Sequence, residues 1–131
     1  MQGQEMIRTR RKSRPAPEGG TFDPMIFDVV HFRHYTQGNA EFEAELIGLF
    51  RGQLSSLLDQ LGGPGTADDW KLAAHTLKGS ARAIGAVAIS DIAATLEELG
   101  FSGGAEIRQS LLRLLRRAIA DFTAETEKLV S

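Results

Sequence analysis

The chain has 131 residues, of which 42% are hydrophobic and 24% charged, enough material for one globular domain with a single core. It contains no cysteine, which excludes disulfides, thiolate metal sites and cysteine nucleophiles and fits a cytoplasmic setting. No apolar run approaches the roughly 18 residues of a membrane span, and no signal-peptide core follows the N-terminal bases. The net charge of −2 hides an asymmetry, because the first twenty residues hold five bases against two acids while the remainder is acidic.

From Met1 to about Gly20 the sequence is polar and basic, with Pro15, Pro17, Gly19 and Gly20, and is expected to be a disordered tail ahead of a domain over 21–131. Five bases without interleaved aromatics do not make a nucleic-acid site. Asp23-Pro24 predicts a helix start, Asp23 capping and proline in the first turn, leading into a short lid helix to about Arg33. Phe27, Val30 and His31 or Phe32 are expected to face inward. His31 and His34, three apart, are taken as packing and surface residues rather than metal ligands, since no further ligand is spaced with them.

Gly38 breaks the chain and Asn39 is the expected cap of a long helix over roughly 39–61, with Phe42, Leu46, Phe50, Leu54, Leu57, Leu58 and Leu61 recurring at threes and fours. Gly62-Gly63-Pro64-Gly65 ends it in a turn short enough to force an antiparallel return. Thr66, with Asp69 three residues on, predicts the start of a second helix over about 67–84. Gly85 interrupts that pattern. Ala88, Ile92, Leu96 and Leu99 then predict a third helix, with Glu97 and Glu98 on its polar or flanking side. After the turn at 100–104, a last helix over about 105–130 places Ile107, Leu111, Leu114, Ala118, Phe122 and Leu129 on one stripe. Arg108, Arg113, Arg116 and Arg117 lie mostly outside that stripe and are taken as a solvated face. The prediction is an all-α, antiparallel up-down four-helix bundle with a short N-terminal lid.

The second bundle helix carries the chemistry. With about 100° per residue, Trp70, Ala73, Leu77, Ala81 and Ile84 fall on one face, and His75 projects from the other. Lys71, Lys78, Gly79 and Arg82 lie within about 60° of His75, because spacings of three, four and seven stack along one side of a helix. Cations around an imidazole repel a metal ion, attract an anion and favour the neutral, nucleophilic ring. A glycine in a helix interior costs about 1 kcal/mol against alanine. Gly79, one turn beyond His75, is therefore expected to clear space for another macromolecule's reactive group.

His75-Thr76-Leu77-Lys78-Gly79-Ser80, followed by Gly85-Ala86, resembles the signature of histidine-containing phosphotransfer (HPt) domains, and the flanking chain resembles the family over roughly 23–131. Leu96-Glu97 matches a Leu-Glu pair that recurs there. The resemblance implies that His75 accepts a phosphoryl group, through Nε2, from an aspartyl phosphate. Lys78 would then neutralise the phosphate and Gly79 give the partner clearance. The implied partners are receiver domains of response regulators and of hybrid histidine kinases, which would bring any Mg²⁺; the chain itself needs no cofactor, nucleic acid or membrane, and a monomer suffices. Lys71 and Arg82, assigned from the helical wheel alone, are candidate docking cations. The group orienting the second ring nitrogen of His75 is not identifiable from sequence.

Two competing functions are discriminated by particular residues. A phosphoacceptor helix of a sensor kinase usually has an acid directly after the histidine and a proline soon after. Here Thr76 follows, and no glycine-rich nucleotide loop is present, so autonomous kinase or ATPase activity is not expected. The alternative, a helical adaptor that binds a receiver or inhibits a kinase without accepting phosphate, is opposed only by the joint presence of His75, Lys78 and Gly79.

Overall fold

Six helices follow one another in the computed structural model, which describes residues 22–63, 65–101 and 104–130; the expected tail over 1–20 lies outside the described residues. They are α1 (Val29–Thr36), α2 (Ala40–Gly62), α3 (Ala67–Ile84), α4 (Val87–Leu99), α5 (Ala105–Glu125) and the single turn α6 (Glu127–Val130). Helices α2 to α5 form the bundle, each packing on its chain neighbour and α5 returning to α2. The only extended pairing among the described residues is a single antiparallel bridge between Phe27 and Ala86. No helix among those described is long and apolar enough to cross a membrane.

Local chemistry sets the helix limits. Asn39 caps α2 by accepting from Phe42 N, and Thr66 caps α3 by accepting from Asp69 N, at 2.9 and 3.1 Å. The start of α1 differs from expectation. The Asp23 carboxylate accepts from Met25 N within a turn, and Asp28 caps the helix by accepting from His31 N. α1 therefore begins six residues after Asp23, and Val30 points to solvent at 69% exposure, while Phe27 and Phe32 are fully buried.

The core is built from Ile47, Phe50, Leu54, Leu57 and Leu61 of α2, Trp70, Ala73, Ala74, Leu77 and Ala81 of α3, Ile89, Ala93 and Leu96 of α4, and Leu112, Leu115, Ala118 and Phe122 of α5. Several expected core residues are displaced by one helical position. Ile107 and Leu114 are exposed, and Leu112 and Leu115 occupy the interior instead. Phe42 is exposed while the neighbouring stripe buries Ile47 completely, and Ala88 and Ile92 are only partly buried. At the lid end, the Phe27 ring stacks edge-on against Phe22 and Phe122, and Phe122 does so against Phe50. Such pairs contribute about 0.5–1.5 kcal/mol each beyond burial. α6 folds back onto α2 with Leu129 buried.

The lid segment is stitched to the α3–α4 corner. Asp28 N donates to Gly85 O at 2.8 Å, and Val87 N donates to Ile26 O at 3.1 Å. Gly85 ends α3 at φ +87°, and a Cβ there would stand 2.7 Å from Asp28 O. Only glycine permits both the left-handed turn and this approach. α3 is thereby fixed at both ends, with Trp70 Nε1 donating to Leu61 O near its start.

Candidate functional site

A helix clamped at both ends presents its outward face with little freedom. His75 lies midway along α3, with 64% of its side chain exposed, while Ala74 and Leu77 beside it in sequence are buried. Amphipathic spacing accounts for this, as the chain predicted. What the spacing does not reveal is the neighbour across the α3–α4 seam. Glu97 of α4 accepts a hydrogen bond from His75 Nδ1 on Oε2 at 2.7 Å and binds Lys78 Nζ through Oε1 at 2.6 Å.

This carboxylate corrects the expectation of a purely cationic surround. Lys78 does stand on the His75 side of the helix, but one acid links the two. The hydrogen bond from Lys78, and after it that from His75, holds the Glu97 carboxyl below the usual carboxylate range. Glu97 is consequently ionised at neutral pH and can only accept, so the proton of a neutral His75 ring belongs on Nδ1. Nε2 is then the nitrogen with the free lone pair, on a side chain that is mostly exposed. The sequence signal for Glu97 was present in Leu96-Glu97, but its helix register gave a face and not a partner.

The other candidates are arranged unequally. Gly79 lies on the exposed side of α3, and a Cβ built there meets nothing within 4 Å. Among the described residues, therefore, nothing requires its missing side chain. The side chains of Lys71 and Arg82 are exposed along the same side of α3 and form no ion pair or hydrogen bond among the described residues. Arg82 instead borders a shallow cleft with Asp28, His31 and Asp91. His31 Nε2 bonds Ala83 O at 2.9 Å while His34 is exposed, so the two do not act together. Among the described residues no group of three or more His, Asp or Glu is placed to hold a metal ion.

Lys78 and Glu97 lie on the α4 side of His75. Farther along α3, and not lined by His75, an apolar groove of about 530 Å³ is walled by Phe32 and Tyr35 of α1, Leu46, Leu49, Phe50 and Gln53 of α2, and Ser80, Ala83 and Ile84 of α3. Leu49 and Tyr35 are among the exposed large apolar side chains. The arrangement offers an exposed imidazole whose Nε2 is free of the proton, with a cation held beside it on Glu97.

Comparison with known proteins gives one match. The family model of the Hpt domain covers residues 45–125, more than half of the chain. No curated protein and no solved structure matches.

Proposed function

From the premise that this chain belongs to the Hpt domain family, phosphocarriers of phosphorelays with no catalytic activity of their own, we propose that His75 is the residue that carries the phosphoryl group. The observation that carries this is the Glu97 hydrogen bond, which reserves Nδ1 for the proton and leaves Nε2 exposed. A receiver domain phosphorylated on aspartate docks over this face. The Nε2 lone pair attacks phosphorus in line as the bond to the aspartyl oxygen breaks, and aspartate departs as a carboxylate. The ring gains positive charge in that step while its proton stays on Nδ1, hydrogen-bonded to Glu97, so the carboxylate stabilises charge where it develops.

Lys78 has a second task in this scheme. Its Nζ rests on Glu97, one hydrogen-bond length from the carboxylate that holds the ring, and a lysine's flexible stem lets it turn toward an arriving phosphoryl group. Gly79 gives the receiver backbone room one turn away, and Lys71 and Arg82 supply docking cations. Aspartyl phosphate and phosphohistidine are both energy-rich, so the exchange runs in either direction and a second response regulator can discharge the chain. The donors are receivers of hybrid histidine kinases or of response regulators, any Mg²⁺ belongs to the receiver, and the exchange takes place in the cytoplasm, with residues 21–131 as the working unit.

The test is transfer from radiolabelled phospho-receivers, each mixed briefly with the full chain. Acid-labile, alkali-stable label on the wild type and none on His75→Gln is expected, with the variant still folded and binding. Label retained by His75→Gln places the acceptor elsewhere. A chain that binds a receiver and never takes label is the adaptor of the alternative function, and label from ATP alone contradicts a carrier without kinase activity.

A further inference from the structure

We infer that the outer face of α5 pairs antiparallel with the same face of a second copy of this chain, with Ile107 and Leu114 as the apolar contacts and Glu106 set against Arg113 and Arg117 of the other copy. The pairing does not depend on the role given to His75. It starts from a departure between sequence pattern and structure, since Ile107 and Leu114, spaced to join the core, are 55% and 56% exposed. Side chains seven residues apart stand almost on one line of a helix, about 10.5 Å apart along its axis. Burying both against a like surface removes them from water.

The charges beside this pair identify the occupant. At about 100° per residue, Leu114 and Ser110 fall about 20° and 60° to one side of Ile107, and Arg117, Glu106 and Arg113 follow at about 80°, 100° and 120°. One acid and two bases therefore share a single flank of the apolar pair. All three are exposed and form no ion pair among the described residues, while Arg113 Nη2 donates to Ser110 Oγ within the strip at 3.0 Å. An acidic partner or an anionic membrane would satisfy the arginines and repel Glu106. A second copy satisfies all three.

In an antiparallel helix pair related by a twofold axis, like flanks face each other. Setting Ile107 opposite Leu114 of the second copy also sets Leu114 opposite its Ile107. The same register brings Glu106 level with the interval between Arg113 and Arg117 of the second copy, about 3 Å from each along the axis. One register thus meets the apolar and the charged contacts together, twice over by symmetry. The strip from Glu106 to Arg117 is only about 17 Å long, too short to cover the roughly 800 Å² per partner of a stable interface, so the pair is weak and depends on concentration. α3 and α5 each pack on α2 and on α4 and so stand diagonally in the bundle, which leaves His75 open in both copies. One copy is enough for the exchange proposed above, and pairing makes a bivalent carrier of it.

Sedimentation equilibrium of the full chain, from about 10 μM to about 1 mM, is expected to show monomer and dimer with a Kd on the order of 100 μM. Leu114→Glu should raise that Kd about tenfold or more. Glu106→Arg, which sets like charges against both arginines, should also raise it about tenfold, and adding Arg113→Glu should recover about threefold, a rescue that only contact between copies produces. These positions are exposed, so circular dichroism of each variant should match wild type. A chain still monomeric at about 1 mM, a dimer indifferent to Leu114→Glu, or no recovery in the double variant overturns the inference. So does a monomeric chain that binds phosphatidylglycerol vesicles through Arg113 and Arg117, which would give the strip to a membrane. Labelling by a phospho-receiver should be unchanged in Leu114→Glu, and a fall would overturn the separation of the two surfaces.

Discussion

Gly79 and Gly85 belong to one signature and to one helix, yet they answer to different neighbours. At Gly85 a side chain would strike Asp28 O, and the backbone is already left-handed, so the cause of the glycine lies inside the molecule. At Gly79 the surrounding space is open, and a glycine in mid-helix only weakens the fold. The C-terminal end of the motif is thus architectural, and its central part faces outward, where the proposed receiver would dock. A mid-helix glycine with no reason for it among the described residues is what the proposed partner clearance would account for.

Substitutions along the segment can break or sharpen that contrast. His75→Gln should abolish labelling by phospho-receiver while leaving the circular dichroism spectrum and melting temperature near wild type; loss of fold would make the outward half architectural too. Glu97→Ala removes the charge-assisted hydrogen bond to Nδ1, so the saturating transfer rate should fall about tenfold to a hundredfold. Nitrogen chemical shifts of the His75 ring should show the loss of its Nδ1–H preference. In the wild type, Glu97 has its folded pKa depressed, so its contribution is present above the ordinary carboxylate value, persists as pH falls past that value and disappears as pH falls through the lowered one. An NMR titration of the carboxyl that gives an ordinary or raised value would contradict the pairing.

Gly85→Ala should destabilise by roughly 1–3 kcal/mol from the left-handed backbone, with the clash against Asp28 adding to it, and should lower transfer only as far as the fold is lost. Gly79→Ala is expected to do the opposite, stabilising by about 1 kcal/mol in denaturant melts while slowing transfer. Unchanged transfer in that variant would remove the case for partner clearance at this position.

The sequence made much of this arrangement legible because short-range chemistry dictates it. Asn39 and Thr66 cap where a short polar side chain precedes an amphipathic run, and α3 spans the predicted 67–84 since its apolar residues repeat without ambiguity. The last bundle helix shows the limit. Leu111, Leu112, Leu114 and Leu115 satisfy two overlapping stripes, and a one-residue choice turns the face by about 100°, which is why Leu114 was expected inside and lies outside. Asp23 and Asp28 are equivalent cap candidates on local grounds. Asp28 starts α1 because its backbone is also tied to Gly85 across the corner, a contact between distant parts of the chain. Glu97 was hidden for the same reason: periodicity assigns it to a flank of α4 but not to an imidazole 22 residues earlier.

The acid that aligns the ring resides on α4, so the proposed exchange centre is a tertiary property. A synthetic peptide spanning 67–84 would contain the entire His75–Ser80 motif and have nothing to select its tautomer. By the same logic, the packing of α3 on α4 that brings Glu97 to His75 would govern the reactivity of the proposed acceptor, and a cavity opened deep in that seam would register first as a slow carrier.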